Sequence, residues 1–156
     1  MKGDARLLKT LNALLSDELT AINEYMVHSE MCDNWGYQRL HQQVEKRAVD
    51  EMRHAEKLIA RILFLEGKPV VNRLGTIRIG EEVDKQFQND LKSEQMAVQA
   101  YNEAVRQAVE VGDNGTRELL ESVLKDEEAH VDWLEAQLDQ IGHMGLGTYL
   151  SEQVKG

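Results

Sequence analysis

Apolar residues recur every three or four positions along most of this chain, a spacing that is typical of amphipathic helices. Within residues 5–33 the repeating positions are Leu8, Leu11, Leu15, Leu19, Ile22 and Val27. Turn-forming residues at 33–36 end this stretch, and a similar group at 112–115 divides a later one. We therefore predict four long helices, at about 5–33, 38–66, 83–111 and 116–141.

The connections between these helices predict how the helices pack. Two short connections make antiparallel pairs, whereas Gly67 and Pro69 form a common stop signal after the second helix. Residues 67–81 are too many and too mixed for a tight turn, so we expect them to cross along the bundle. The stretch 144–150 predicts one short further helix. The prediction is an all-α four-helix bundle with one long crossover and a short fifth C-terminal helix.

Composition supports a single domain over residues 1–156. The chain is 42% hydrophobic and 5% aromatic and has one proline, which favours helices over sheet. No apolar run approaches the ~20 residues that cross a bilayer, and residues 1–4 lack an apolar signal region, so we expect no membrane association and a cytoplasmic location. The lone Cys32 excludes an internal disulfide. A formal net charge of -10 argues against nucleic-acid binding and suits a protein that gathers cations.

A repeated set of acidic and histidine residues carries the candidate chemistry. Glu51-x-x-His54 recurs 76 residues later as Glu127-x-x-His130. Two more acids, also 76 residues apart, precede these motifs by 33 residues each: Glu18 and Glu94. Residues i and i+3 share a helix face, so each motif presents a carboxylate and an imidazole together. One Glu from each of two helices and Glu-x-x-His from each of the others is the ligand set of a di-iron carboxylate site.

The alternative is that the four glutamates are solvated, as most glutamates are. Glu18 shares a helix face with Tyr25, however, and Glu94 shares one with Tyr101, so these acids lie on core-facing stripes. Buried unpaired acids are costly, and a bound metal removes that cost. Carboxylates and imidazoles suit iron, manganese or zinc. We therefore favour the metal site.

Two further pairs share the 76-residue offset. Tyr25 and Tyr101 each follow a candidate ligand by seven residues, which makes each hydroxyl a candidate partner of a coordinating carboxylate or an electron donor; the alternative is a tyrosine that only fills the core. We include Tyr25 among the catalytic residues and leave Tyr101 open. Asp50 and Asp126 each precede a motif glutamate and are candidates to orient a ligating histidine, although a solvated acid is the alternative for both.

The sequence resembles the bacterioferritin family over essentially its whole length. The resemblance is carried by the strings at 17–25, 50–55, 61–67 and 126–135: DELTAINEY, DEMRHA, RILFLEG and DEEAHVDWLE. It implies a ferritin-like bundle that binds two irons per subunit. By this resemblance Glu51 and Glu127 bridge the two irons, and Glu18 and Glu94 bind terminally. His54 and His130 each bind one iron.

The family also implies a hollow homo-oligomeric shell of 24 subunits built from dimers. Such a shell oxidises Fe(II) with O2 or H2O2, stores ferric mineral inside, and has a ferredoxin-type reductant as a partner for iron release. It carries one b-type haem per subunit pair, and the residue that matches the haem ligand is Met52. Helical phase agrees with this role, because Met52 lies about 100° round the helix from Glu51 and faces away from the bundle centre. The alternative is a methionine that fills a gap in an interface.

Four polar residues match those that line a bacterioferritin pore where three subunits meet. Three of the four are acids, which suits the passage of cations. Taken singly, each is an ordinary solvated residue. They are Asn34, Glu66, Asp132 and Asp139.

Three residues depart from the family pattern. Met26 stands where many relatives have an aromatic residue, and Glu45 and Lys46 replace an aromatic residue and a histidine. Met26 and Glu45 fall near the haem surface. Lys46 offers no lone pair, so it cannot form an inner iron site with Asp50 and is expected to pair with that acid instead. We predict that iron itself passes from the di-iron site into the cavity as the mineral grows.

The function predicted from the sequence is iron storage by a ferroxidase. A haem electron carrier without storage would have no use for six metal ligands. A rubrerythrin-like peroxidase usually adds a cysteine-rich iron module, and this chain has one cysteine. A small DNA-protecting ferritin would need a basic tail or ligands divided between subunits, and neither is found in the sequence.

Overall fold

The computed structural model describes residues 1–156 and contains five α-helices and no strands. They are α1 (Ala5–Asn34), α2 (Gln38–Phe64), α3 (Val83–Glu110), α4 (Asn114–Met144) and α5 (Leu146–Ser151). Helix α1 packs along α2 and α3 packs along α4; the two pairs meet where α1 touches α3 and α2 touches α4. The predicted all-α bundle with one crossover and a short fifth helix is confirmed. None of these helices combines the length and the apolar character needed to cross a lipid bilayer.

The two tight turns have the same construction. Gly36 and Gly112, 76 residues apart, both have positive φ, at 84° and 74°. In each turn the glycine N–H donates to the carbonyl three residues earlier, and the next N–H donates to the carbonyl five residues earlier. This is the Schellman ending of a helix, which needs a left-handed residue at its centre. The internal repeat therefore extends from the candidate ligands to the turns that make each hairpin antiparallel.

Helix α2 ends in the same way but with a different residue. Its left-handed residue is Glu66, with φ of 63°, whereas the expected stop signal centred on Gly67. Gly67 donates to the Ile62 carbonyl at 2.8 Å. A Cβ atom on Gly67 would lie 2.6 Å from Leu8 Cδ2 and 3.0 Å from Ile62 Cγ2. The glycine is thus favoured by close packing against Leu8 of α1 and Ile62 of α2, and not by its backbone angle.

Helix α4 is longer than predicted at both ends. The Asp113 carboxylate caps the helix by accepting from the Thr116 N–H, so Gly115 lies inside the first turn. The helix then runs through Gly142 and ends only at Gly145, whose φ is 83°. A single glycine inside a helix costs only about 1 kcal/mol, which the rest of a long helix outweighs. The predicted bounds of 116–141 were therefore wrong at both ends.

The core consists of two apolar clusters with a polar layer between them. The larger one joins the beginnings of α1 and α4 to the ends of α2 and α3 and includes Leu11, Leu58 and Leu120. The smaller one, at the opposite end of the bundle, includes Phe87 and Tyr149 from α3 and α5. All six candidate metal ligands lie between these clusters along the helices. Two apolar layers therefore shield the candidate site from both ends.

The expected stripe on α1 needs one correction. Val27 is 39% exposed, although it was predicted to continue the apolar stripe. Past Ile22 the buried stripe continues through Tyr25, Ser29 and Cys32. Part of this stripe is polar, so the pattern of hydrophobic residues alone does not follow it past Ile22.

Residues 65–82, which we call the strap, run along the outside of α1 between the two hairpins. Five polar side chains of α1 at intervals of four residues hold its backbone. They contact strap groups of residues 68 to 80 at 2.8–3.1 Å, and they are Asn12, Ser16, Thr20, Glu24 and His28. Residues spaced by four share one helix face, so α1 presents a polar ladder that fixes the path of the strap.

Candidate metal centre

The six predicted ligands come together in the polar layer of the bundle. Each of the four long helices contributes, α1 and α3 with one glutamate and α2 and α4 with Glu-x-x-His. Their exposed fractions lie between 0% and 4%. The residues that the structure brings together are Glu18, Glu51, His54, Glu94, Glu127 and His130.

These ligands divide into two overlapping groups. One group adds Glu18 and His54 to the shared pair Glu51 and Glu127, and the other adds Glu94 and His130 to the same pair. In each group one ligand atom from every residue lies within 4.8 Å of the others. Glu51 Oε1 is 3.3 Å from Nδ1 of both histidines. Glu51 and Glu127 are therefore the two carboxylates common to both groups.

Both histidines direct Nδ1 into the site and Nε2 away from it. His54 Nε2 lies 2.9 Å from Asp126 Oδ2, and His130 Nε2 lies 3.0 Å from Asp50 Oδ2. A carboxylate on Nε2 keeps the proton there and leaves the Nδ1 lone pair for a metal. Each aspartate thus orients the histidine of the other hairpin. Asp50 forms no ion pair with Lys46, contrary to the expected contact.

The two tyrosines cross between the hairpins in the same manner. Tyr25 donates its hydroxyl proton to Glu94 Oε1 at 2.6 Å, and Tyr101 donates to Glu18 Oε1 at 2.6 Å. Burial, and then the nearby carboxylates, raise the pKa of both phenols well above their ordinary value. Both tyrosines therefore remain protonated donors that fix the two terminal glutamates.

The site groups four carboxyls and two imidazoles without a permanent cation. Burial, and then the neighbouring carboxylates, raise the pKa of Glu51 and Glu127 well above the usual range. Burial lowers the pKa of the two histidines, but the facing carboxylates outweigh it: the pKa of His54 is raised, and that of His130 reaches about 8. No lysine or arginine forms an ion pair with any of the six.

Several buried ligand atoms have no hydrogen-bond partner. Such atoms are rare in folded proteins because an unpartnered buried polar group is costly. They include Glu18 Oε2, Glu94 Oε2 and Glu127 Oε2. His54 Nδ1 faces other candidate ligands, at 2.8 Å from Glu127 Oε1 and 3.3 Å from Glu51 Oε1. All are atoms that can coordinate a metal, so bound cations would satisfy them together.

A cavity of about 300 Å³ lies against one side of this site. It is bounded by α1, α3 and part of the strap, and its lining includes Glu18, Glu51 and Glu94 together with the acids Asp17 and Glu24. The acidic lining gives the centre a cation-attracting neighbour within the same subunit.

The residues assigned by resemblance to haem and pore lie at the surface. Met52 is 42% exposed on α2, which agrees with its predicted outward phase. The pore candidates Asn34, Glu66, Asp132 and Asp139 are all exposed. Asp132 and Asp139 line one surface groove on α4. Whether other subunits meet there stays a prediction.

Sequence reasoning missed two buried polar arrangements near the centre. The Arg47 guanidinium lies 3.7 Å over the Trp133 ring, and burial lowers its pKa. Glu24, His28 and Asp90 form a second cluster below the strap. Neither arrangement takes part in the 76-residue repeat, so that repeat gave no signal for them.

Comparisons with known proteins agree with the geometry. The profile of the ferritin-like domain family matches residues 8–144. Bacterioferritin of Rhodobacter capsulatus is 43% identical over 149 residues, which cover 94% of this chain and 92% of the relative. Bacterioferritin of Mycolicibacterium paratuberculosis is 41% identical, and that of Mycobacterium leprae is 40% identical, each over 154 residues that cover 99% of this chain and 97% of the relative.

Proposed function

This chain belongs to the bacterioferritin family, and from this membership we propose that it stores iron after oxidising Fe(II) at the buried centre. The observation that carries the proposal is the pair of overlapping ligand groups that share Glu51 and Glu127. Two metal ions held by shared carboxylates can give up two electrons together. Such a pair is what a two-electron oxidant such as peroxide requires.

The substrate is Fe(II), and the side chains supply its positions and its charge balance. Four ionised carboxylates neutralise the four positive charges of two Fe(II) ions. Each Fe(II) loses one electron, and one H2O2 that accepts both becomes two hydroxide ions; with O2 the same two electrons give peroxide. Protons held by Glu51, Glu127 and Nδ1 of the two histidines leave as the cations bind, because a nearby cation favours the ionised carboxyl and the neutral imidazole.

Tyr25 and the two aspartates have supporting roles in this proposal. Tyr25 holds Glu94 in place through its hydroxyl and is also positioned to supply an electron. Asp50 and Asp126 keep the proton of each histidine on Nε2, so that both Nδ1 atoms face the iron.

We further propose that Met52 binds a b-type haem shared by two subunits. Its thioether is a soft neutral ligand that suits haem iron, and exposed Val49, three residues earlier on the same helix face, would add an apolar side chain beside it. Bound haem supplies one-electron redox chemistry. A 24-subunit shell built from dimers, a mineral in its cavity and a ferredoxin-type reductant are proposed on the same family basis.

Iron titration tests the centre directly. Anaerobic binding should saturate at about two Fe(II) per subunit, and Glu18→Ala or His130→Ala should abolish rapid oxidation on adding O2 while the shell still assembles. Matched controls are Glu118→Ala and His143→Ala, which change exposed residues of α4. Unchanged oxidation in both site variants would remove the centre from the mechanism. Oxidation that stops at two irons per subunit, with no mineral, would favour a haem electron carrier or a rubrerythrin-like peroxidase without storage.

A further inference from the structure

A second set of metal-binding side chains lies at the surface, outside the buried centre. Glu30 of α1 and His41 and Glu45 of α2 place one ligand atom each within 4.8 Å of the other two. His41 Nε2 is 3.6 Å from Glu45 Oε2. In a tetrahedral zinc site with bonds of about 2.0–2.2 Å, neighbouring ligand atoms are about 3.4 Å apart. We propose that these three residues bind one divalent transition-metal ion, with Zn²⁺ as the best fit.

The orientation of His41 supports this site independently of the two acids. Its Nδ1 atom lies 3.0 Å from the backbone carbonyl oxygen of Ser29, a buried residue outside the cluster. The Ser29 hydroxyl also lies 3.0 Å from Nδ1 and can donate to the His41 carbonyl oxygen at 3.4 Å. Because the Ser29 carbonyl oxygen only accepts, a proton on His41 Nδ1 satisfies it and leaves the Nε2 lone pair for a metal. Proteins commonly orient a metal-binding imidazole through a carbonyl on its other nitrogen.

The charges around the cluster leave a cation to be supplied. Glu30 forms no ion pair, and the one ion-pair contact of Glu45 is with His41. No lysine or arginine forms an ion pair with either carboxylate, so a divalent ion bound by His41 and the two acids would balance their charge. One nitrogen and two oxygen ligands suit Zn²⁺, Fe²⁺ or Mn²⁺, with a fourth position open to water.

The surface site can be counted separately from the buried centre. His41 and Glu45 are one turn apart, and since 41, 45, 49 and 52 follow one another at intervals of four, four and three, they lie on the α2 face that carries Met52. This is the face proposed above to bind haem between two subunits. Glu51 and His54 lie on a different face of the same helix, toward the bundle interior. Loss of one metal at the surface should therefore leave the buried ions in place.

Zinc binding to the assembled protein tests the proposal. Equilibrium dialysis of metal-free protein against micromolar Zn²⁺ should show one fewer zinc per subunit for His41→Ala than for the unchanged protein. The matched control His143→Ala, an exposed histidine outside the cluster, should keep the full number. Glu45→Gln should weaken zinc binding at the surface site at least tenfold. Equal zinc counts with and without His41 would overturn the proposal.

A second measurement, and a variant that lacks two ligands of the buried centre, separate this test from zinc binding at that centre. Crystals of the unchanged protein soaked in Zn²⁺ should show an anomalous-difference peak within bonding distance of His41 Nε2, and no peak there would overturn the site. The same His41→Ala comparison in a Glu51→Gln, Glu127→Gln background should again differ by one zinc. Both results test the surface site independently of whether the buried centre oxidises iron.

Discussion

At the scale of single residues, the cluster of Glu24, His28 and Asp90 sets how the protein responds to pH near the strap. Gly80 donates its N–H to His28 Nε2 at 3.0 Å, so the His28 proton is on Nδ1 and faces Asp90 Oδ1 at 2.9 Å. Burial lowers the pKa of His28 to about 4. Burial also raises the pKa of Glu24 to about 8, with Asp90 adding to the shift. Neutral Glu24 is therefore the form that the fold prefers.

Replacing Glu24 with glutamine should remove part of this pH dependence. Because the pKa is raised on folding from 4.5 to about 8, the unfolded chain releases the proton first, so the free energy of unfolding falls as pH rises between those values. A glutamine has no proton to lose and can still accept from the Arg78 N–H. Glu24→Gln should match the unchanged protein near pH 4.5 and exceed its stability by about 1 kcal/mol or more at pH 8.5.

Thermal melts of the metal-free protein in chelator, at several pH values, measure this difference. Glu118→Gln, an exposed glutamate on α4, is the matched control and should follow the unchanged protein at every pH. Melting curves of the Glu24 variant that stay parallel to the unchanged protein from pH 4.5 to 8.5 would contradict the assigned protonation of Glu24.

Residue positions were predictable where a repeat marked them. The equal offsets of Glu18, Glu51, His54 and their counterparts selected a set that the structure brings together, and they also selected Asp50 and Asp126. Spacing could not show that each aspartate serves the opposite hairpin, since that depends on how the hairpins face each other. The sequence indicated only part of the surface cluster. His41 and Glu45 are four residues apart on one helix, but Glu30 joins them only through the packing of α1 on α2.

At the scale of helices, the structure of the end of α2 predicts opposite changes in stability for substitutions at two adjacent residues. Glu66 adopts a left-handed backbone that favours glycine, so Glu66→Gly should stabilise the protein by about 0.5–1 kcal/mol. Gly67→Ala should destabilise it, because the new Cβ would lie 3.0 Å from Ile62 Cγ2 and 3.3 Å from the Ile62 carbonyl oxygen, and would displace the end of Leu8. Chemical unfolding of the metal-free protein measures both changes.

Glu66→Ala separates backbone strain from charge in this comparison. It removes the exposed contact between the Glu66 carboxylate and the N-terminal ammonium, 3.2 Å apart, but keeps a Cβ atom on a left-handed residue. Such exposed pairs contribute little, so Glu66→Ala should lack the gain of Glu66→Gly. Equal stabilisation by alanine and glycine would show that strain at Glu66 is not the cause.

The helices were predictable because their apolar period persists over many turns, whereas their ends depended on single residues. The predicted end of α4 at 141 lies just before Gly142, but nothing at Gly142 terminates the helix, which ends at the left-handed Gly145. The strap was predicted as a crossover without a path. Its path depends on the polar ladder, whose spacing of four from Asn12 to His28 is visible in the sequence but does not identify which backbone groups it binds.

At the scale of the whole molecule, the exposed thioether of Met52 predicts that haem binding can be lost while subunit pairing is kept. Met52→Leu keeps a similar volume at the surface but offers no ligand to haem iron. The variant should form the same dimer and shell as the unchanged protein, with haem absorbance reduced at least tenfold. Size-exclusion chromatography and the visible spectrum report the two properties separately.

Methionine elsewhere on the surface provides the control. Met96→Leu changes another exposed methionine, on α3, and should keep its haem. Full haem absorbance in Met52→Leu would assign the ligand elsewhere, with exposed Met26 as the next candidate. The single-domain organisation, the shell and the cytoplasmic location stay predictions at this scale.

The crossed contacts of the tyrosines and aspartates have a thermodynamic consequence for the two halves of the chain. Each hairpin contributes one member to every Tyr–Glu and Asp–His contact, so neither hairpin alone holds a finished site. Metal occupancy and association of the hairpins are consequently linked quantities: metal must tighten the association by the same factor by which association tightens metal binding. A chain cut within the strap would thus report metal binding as reassembly of its two fragments.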